Sequence, residues 1–92
     1  MISEPLLNSR ILELKSMMVP QSMDYTVPHH SRIEILYWLR NERNMRTEEE
    51  INQKIERIKE ELLAYQKDDV MYKARVAEIE ELEYCKDYGN EN

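Results

Sequence analysis

Glycine and proline are scarce in these 92 residues: glycine occurs once, at Gly89, and proline at Pro5, Pro20 and Pro28. Between positions 31 and 88 there is neither. Hairpins and bulges draw on both residues, so this absence argues against an all-β fold. With the one glycine close to the end, there is no Gly-rich loop to cradle a phosphate. The single cysteine, Cys85, has no partner for an internal disulfide and suits a reducing compartment. Phenylalanine is missing altogether. No apolar run approaches the ~18 residues of a membrane span, and the opening Met-Ile-Ser-Glu-Pro lacks the basic region of a secretory signal. The expectation is a soluble protein of the cytoplasm, or of the host cytoplasm if viral, without membrane contact.

Positive charge is also short in supply. The formal net charge is −6, with 13 Lys/Arg against 19 Asp/Glu. The deficit lies in the second half: residues 1–46 carry six basic and five acidic side chains, residues 47–92 seven and fourteen. A general nucleic-acid binder displaces counterions with a positive face, and this balance argues against one. An acidic chain can instead mimic nucleic acid on another protein, but lysines and arginines interrupt the acidic runs.

What is present is helical spacing. Leu7, Ile11, Leu14 and Met18 repeat at four, three and four, which predicts an amphipathic N-terminal helix within 1–18. Ser3 is placed to cap it, and Pro5 is tolerated in the first turn. Residues 19–30, bracketed by two prolines, read as a connector whose Met23, Tyr25 and Val27 pack over the bundle. Its length also fits a functional loop. Ser31 and Glu34 have the form of a capping box. The apolar run that follows, from Ile33 to Leu39, predicts a helix over 31–44 buried on more than one side, with Trp38 as a core anchor; a strand is the alternative.

The remainder, 47–88, reads as an antiparallel helical hairpin. Thr47 and Glu50 form a second capping box, and Ile51, Ile55, Ile58, Leu62 and Tyr65 share one stripe. The turn falls at Lys67-Asp68-Asp69, with Asp68 or Asp69 as the next cap. Asn44 suits the left-handed geometry of a helix end, which puts a break between 31–44 and 47–66; one continuous helix is the alternative. In the last helix Tyr72, Val76, Ile79 and Leu82 face the hairpin partner. Val70, Ala74, Ala77, Tyr84 and Tyr88 lie on the opposite side, to be covered by the N-terminal part of the chain or by a neighbouring subunit, and are the candidate interface of a homo-oligomer. Such a chain buries only a little over ~60% of its unfolded surface, so self-association would add core. The fold class expected is all-α.

Chemistry-bearing motifs are few. His29 and His30 are adjacent and cannot share a helix face, so no metal site is expected. Nothing in the sequence places a histidine beside Cys85. The pairs Glu80–Glu81 and Asp68–Asp69 read as solvated, and no catalytic residue or cofactor is assigned. The basic stretch 29–46 is the exception. Arg32, Tyr37, Arg40 and Arg43 are the candidate ligand-binding residues, since guanidinium groups fit phosphate and a tyrosine can stack on a base. The competing reading pairs these arginines with glutamates of the hairpin. The function expected is non-catalytic: an inhibitor or adaptor with a protein partner. The short, acidic, helical format resembles that of many small phage-encoded inhibitors of host or defence proteins, a likeness of composition that covers no motif. The alternative is an oligomer that binds a small phosphorylated ligand, such as a nucleotide, between subunits.

Overall fold

Four helices account for the chain in a computed structural model that describes residues 1–18, 22–41 and 44–89. They are α1 (Glu4–Ser16), α2 (Met23–Arg40), α3 (Glu48–Leu62) and α4 (Val70–Asp87), and no strand occurs among the described residues. The all-α expectation is met. No helix among these residues is long and apolar enough to cross a membrane.

α1 forms where the spacing puts it, with Leu7, Ile11 and Leu14 buried. Ser3 occupies the N-cap position, but its side chain makes no capping bond. α3 opens on the expected reciprocal cap: Thr47 Oγ1 accepts from the Glu50 N–H at 3.1 Å, and the Thr47 N–H donates to Glu50 Oε1 at 3.1 Å. Ile51, Ile55 and Ile58 are buried along its inner stripe. Each contributes ~1.5–3 kcal/mol relative to exposure, far more than any single surface ion pair. α3 ends at Leu62, so Tyr65 lies in the 63–69 connection rather than on the helix. Asp69 then caps α4, its Oδ1 accepting from the Met71 N–H at 2.8 Å.

α2 overturns part of the sequence reading. It begins at Met23, so 23–30 is helix rather than connector, and Pro28 sits inside it. Ser31 is therefore a buried interior residue and caps nothing. A proline in a helix removes one amide and crowds the preceding turn; here the amide lost is the one that would reach the Asp24 carbonyl. Packing holds these first turns in place: His29 is buried and its Nε2–H donates to the Leu14 carbonyl at 2.6 Å, while Lys73 of α4 pairs with Asp24 at 3.8 Å. The histidine pair is thus split between a buried His29 and an exposed His30. α2 stops at Asn41, which takes φ 49°; the left-handed residue is Asn41, not Asn44, and the break from α3 is real.

The central pair is α2 and α4, whose contact is more extensive than that within the α3–α4 hairpin. Asp24 meets Lys73, and Arg32 meets Ala77 and Glu81, so the two helices run in the same direction. Arg75 meets Glu61 and Lys86 meets Asn52, which makes α3 antiparallel to α4 as expected. α1 runs against α2, with Leu14 beside His29 and Asn8 beside Arg40. The segment before α1 lies on the end of α4, where the Ile2 N–H donates to the Cys85 carbonyl at 2.8 Å.

The buried stripe of α4 is not the one centred on Ile79. It consists of Ala74, Ala77, Glu78, Glu81, Leu82 and Cys85. Ala74 and Ala77, assigned from sequence to an oligomer interface, are covered within the chain itself. Their small side chains suit the close approach of α2. The stripe was misplaced because two of its six members are glutamates.

Candidate functional site

Two polar centres stand out, and they have opposite characters. The first is closed. Glu81, read from sequence as solvated, is 1% exposed. Arg10 of α1 grips it bidentately, Nη2 to Oε1 at 2.8 Å and Nε to Oε2 at 3.3 Å, and Arg32 of α2 donates to Oε1 at 3.0 Å. The hydrogen bond to Glu81 raises the Arg10 guanidinium above its ordinary value, against the opposing effect of burial. Arg32 also reaches Glu80 at 3.5 Å. Two cations around one buried carboxylate satisfy its charge and link three helices. Every group in the cluster has a partner, so it is a joint rather than a reactive centre.

The second centre is open and lies around Tyr37 and Trp38, near the end of α2. Burial of Leu36 and Leu39 turns Tyr37 outward, 36% exposed, and leaves Trp38 partly buried against the core. Arg40, one turn on, lays its guanidinium 4.8 Å from the Tyr37 ring centroid and donates from Nη1 to Asn8 Oδ1 at 3.0 Å. Lys15 of α1 approaches the same ring at 5.0 Å.

The turn at Asn41 then brings the chain back. The Arg46 N–H donates to the Leu39 carbonyl at 3.0 Å, and Arg46 Nε donates to the Trp38 carbonyl at 2.8 Å. This folds the Arg46 guanidinium over the Trp38 ring at 4.4 Å, with Lys54 of α3 on the same ring at 5.5 Å. Cations at these distances are attracted by the ring quadrupole and gain further from partial desolvation. Between the two stacks opens a cleft of about 480 Å³, lined by Arg40, Arg46, Tyr37 and Trp38, with Asn8, Asn41 and Glu4 at its margins.

The partners of these cations separate them. Arg10, Arg32 and Arg75 are engaged by carboxylates, and Arg46 shares Glu50 at 3.2 Å. Among the described residues Arg40 pairs with no carboxylate, although Glu4 lines the same cleft. On α3, Glu50 turns to Arg46 rather than to Lys54 one turn on, and Glu61 to Arg75 rather than to Arg57.

Of the four ligand residues proposed from sequence, Tyr37 and Arg40 are brought together. Arg32 is withdrawn to Glu81, and Arg43 lies outside the described residues. Sequence reasoning missed Lys15, Lys54 and Asn8, which come from other helices and share no spacing with 37–46. Of the proposed interface residues, Tyr84 and Tyr88 are exposed and meet edge to face at 5.7 Å, while Val70 is half-buried.

Cys85 is fully buried, and burial pushes its thiol up to about 12. The buried histidine is engaged by the Leu14 carbonyl, and no group of three or more His, Cys, Asp or Glu among the described residues is placed to hold a metal ion. No family model matches the chain, and neither does any curated protein or solved structure.

Proposed function

We propose that this chain is a non-catalytic binding protein, an inhibitor or adaptor whose recognition surface is the cleft between Tyr37 and Trp38. One observation carries the reading: on a chain of net charge −6, four cations gather around two adjacent aromatic rings at the surface. Among the described residues, the carboxylates that line this surface and its neighbouring groove are Glu4 and Glu50, against those four cations. Its occupant is an anionic group on a partner, and the aromatic walls favour a planar or apolar neighbour beside that charge. Non-catalysis is supported by the state of Cys85, whose protonated, buried thiol is a poor nucleophile.

The test is affinity capture from the cell of origin with the wild-type chain and the R40E variant side by side. A species retained by the first and lost by the second supports the cleft. Equal retention removes it.

A second reading, binding of a small phosphorylated ligand such as a nucleotide, uses the same cleft, and it is favoured because among the described residues no carboxylate pairs with Arg40. Homo-oligomerisation belongs with these proposals: the exposed Tyr84 and Tyr88, at the end of α4, supply rings that a second copy would cover. A monomer mass by light scattering at micromolar concentration removes that part.

A further inference from the structure

We infer that the anionic group taken by the Tyr37–Trp38 cleft is a phosphate ester, bound by Arg40 and Arg46 together. This rests on the reading of the cleft as the recognition surface and adds the chemistry of its occupant.

Three observations point that way. The first is the disposition of the arginines. Each guanidinium is stacked on a ring; Arg40 is tethered by Asn8, and Arg46 by the Trp38 carbonyl and, at 3.2 Å, by Glu50. Stacking fixes the plane of the fork while leaving in-plane N–H groups for a ligand. Two such forks facing one cleft match the several acceptor oxygens of a tetrahedral dianion, whereas a carboxylate needs only one.

The second is the behaviour of carboxylates already at hand. Glu4 lines the cleft and Glu50 adjoins it, yet among the described residues neither pairs with Arg40. Elsewhere this chain readily matches arginine with glutamate, as at Glu81, Glu78 and Glu61. Glu50 goes to Arg46 instead, and among the described residues Glu4 does not take up Arg40, so the remaining N–H groups of the Arg40 fork are left for a ligand. With Lys15 and Lys54 on the flanks, a dianion meets four cations against two carboxylates among the described residues.

The third is size. About 480 Å³ falls within the range of small-ligand sites and suits one phosphorylated unit, not a strand. The acidic surface of α3 and α4 would repel a polyanion beyond the cleft. A free phosphate monoester and a phosphorylated side chain of a partner protein share the chemistry, and the experiment separates them.

The experiment is a calorimetric titration of the full chain with inorganic phosphate, adenosine monophosphate, a phosphoserine peptide, the same peptide unphosphorylated, and glutarate. Binding of a phosphorylated probe at least roughly tenfold tighter than glutarate is expected, with a loss of roughly tenfold or more in R40Q. R40K keeps the charge but not the fork and is expected to recover only part of that loss. K73Q, on the far side of α2, leaves binding unchanged, and thermal melting confirms that each variant folds.

Adenosine monophosphate binding tightest assigns the site to a free nucleotide; the phosphopeptide binding tightest assigns it to a modified partner. Glutarate binding as well as phosphate, or phosphate binding indifferent to R40Q, overturns the inference. If no phosphorylated probe binds at millimolar concentration while R40E still abolishes partner capture, the phosphate chemistry is wrong and the cleft stands. If R40E leaves capture intact, the cleft itself is wrong.

Discussion

Arg10 and Glu81 stand 71 positions apart in the chain and meet as a bidentate pair inside it, at 2.8 and 3.3 Å. With Arg32 on the same carboxylate, the contact joins α1, α2 and α4 at one point. A buried pair contributes little net stability compared with a well-packed apolar substitute, but removing one partner alone is costly.

Glu81→Ala should therefore lower stability by about 3 kcal/mol, the low end for a broken buried pair because both arginines retain some access to water. Replacing all three members by apolar residues of similar size should recover most of the loss. Urea denaturation of the single and triple variants measures both. A single variant as stable as wild type would show that the cluster carries no strain when opened.

The position of Ala77 tests which face of α4 is inside. It is 2% exposed and its carbonyl lies 3.5 Å from Arg32 Nη1. Ala77→Leu should force α2 away and cost about 2 kcal/mol in an otherwise unchanged monomer. Had Ala77 lain at an interface between copies, as the sequence reading placed it, the same change would alter association and leave the stability of the single chain near neutral.

At the start of α3 the reciprocal cap predicts a pH effect. The Thr47 N–H, assisted by Arg46, holds the Glu50 carboxyl below its usual 4.5. A group whose folded value is depressed contributes stability that is complete above the unfolded value and disappears as the pH falls through the folded one. Comparing melting temperatures of wild type and Glu50→Gln, the gap should be full above pH 4.5 and close as acid is added below it. Thr47→Ala should cost about 1 kcal/mol at neutral pH, the ordinary loss of an N-cap.

Cys85 should be inert in the native state. Its thiol is buried and raised to about 12, so the thiolate fraction at pH 8 is negligible. A thiol-reactive chromophore should label it only as fast as the chain opens, and at once in denaturant. Rapid labelling of the native protein would contradict the packing of Ile2 and α1 over the end of α4.

How much of this was legible in the sequence divides by the kind of signal. α1 and α3 were legible because Leu7, Ile11 and Leu14, and Ile51, Ile55 and Ile58, each form a single clean stripe, and because the Thr47–Glu50 cap is local. The first two turns of α2 were not. Pro28 argues for a loop by any local rule, and only long-range contacts, His29 to Leu14 and Asp24 to Lys73, override it. The face of α4 was misread because hydrophobic periodicity cannot see a buried glutamate; Glu81 is admitted to the core only by two arginines distant in sequence. The candidate site was half legible. Tyr37 and Arg40 share one helix, but Asn8, Lys15 and Lys54 reach it from two others, and Arg32 was drawn away by a partner whose burial no spacing revealed.

The same-direction packing of α2 on α4 also bears on the order in which the chain folds. α3 and α4 are joined by a short loop and can meet early at little cost in chain entropy. Alone, however, that hairpin leaves Glu81 without its arginines and Ala74 and Ala77 without cover. The contacts that supply that cover join residues 71 and 49 positions apart, Arg10 and Arg32 to Glu81, so closing them costs more chain entropy than closing the hairpin.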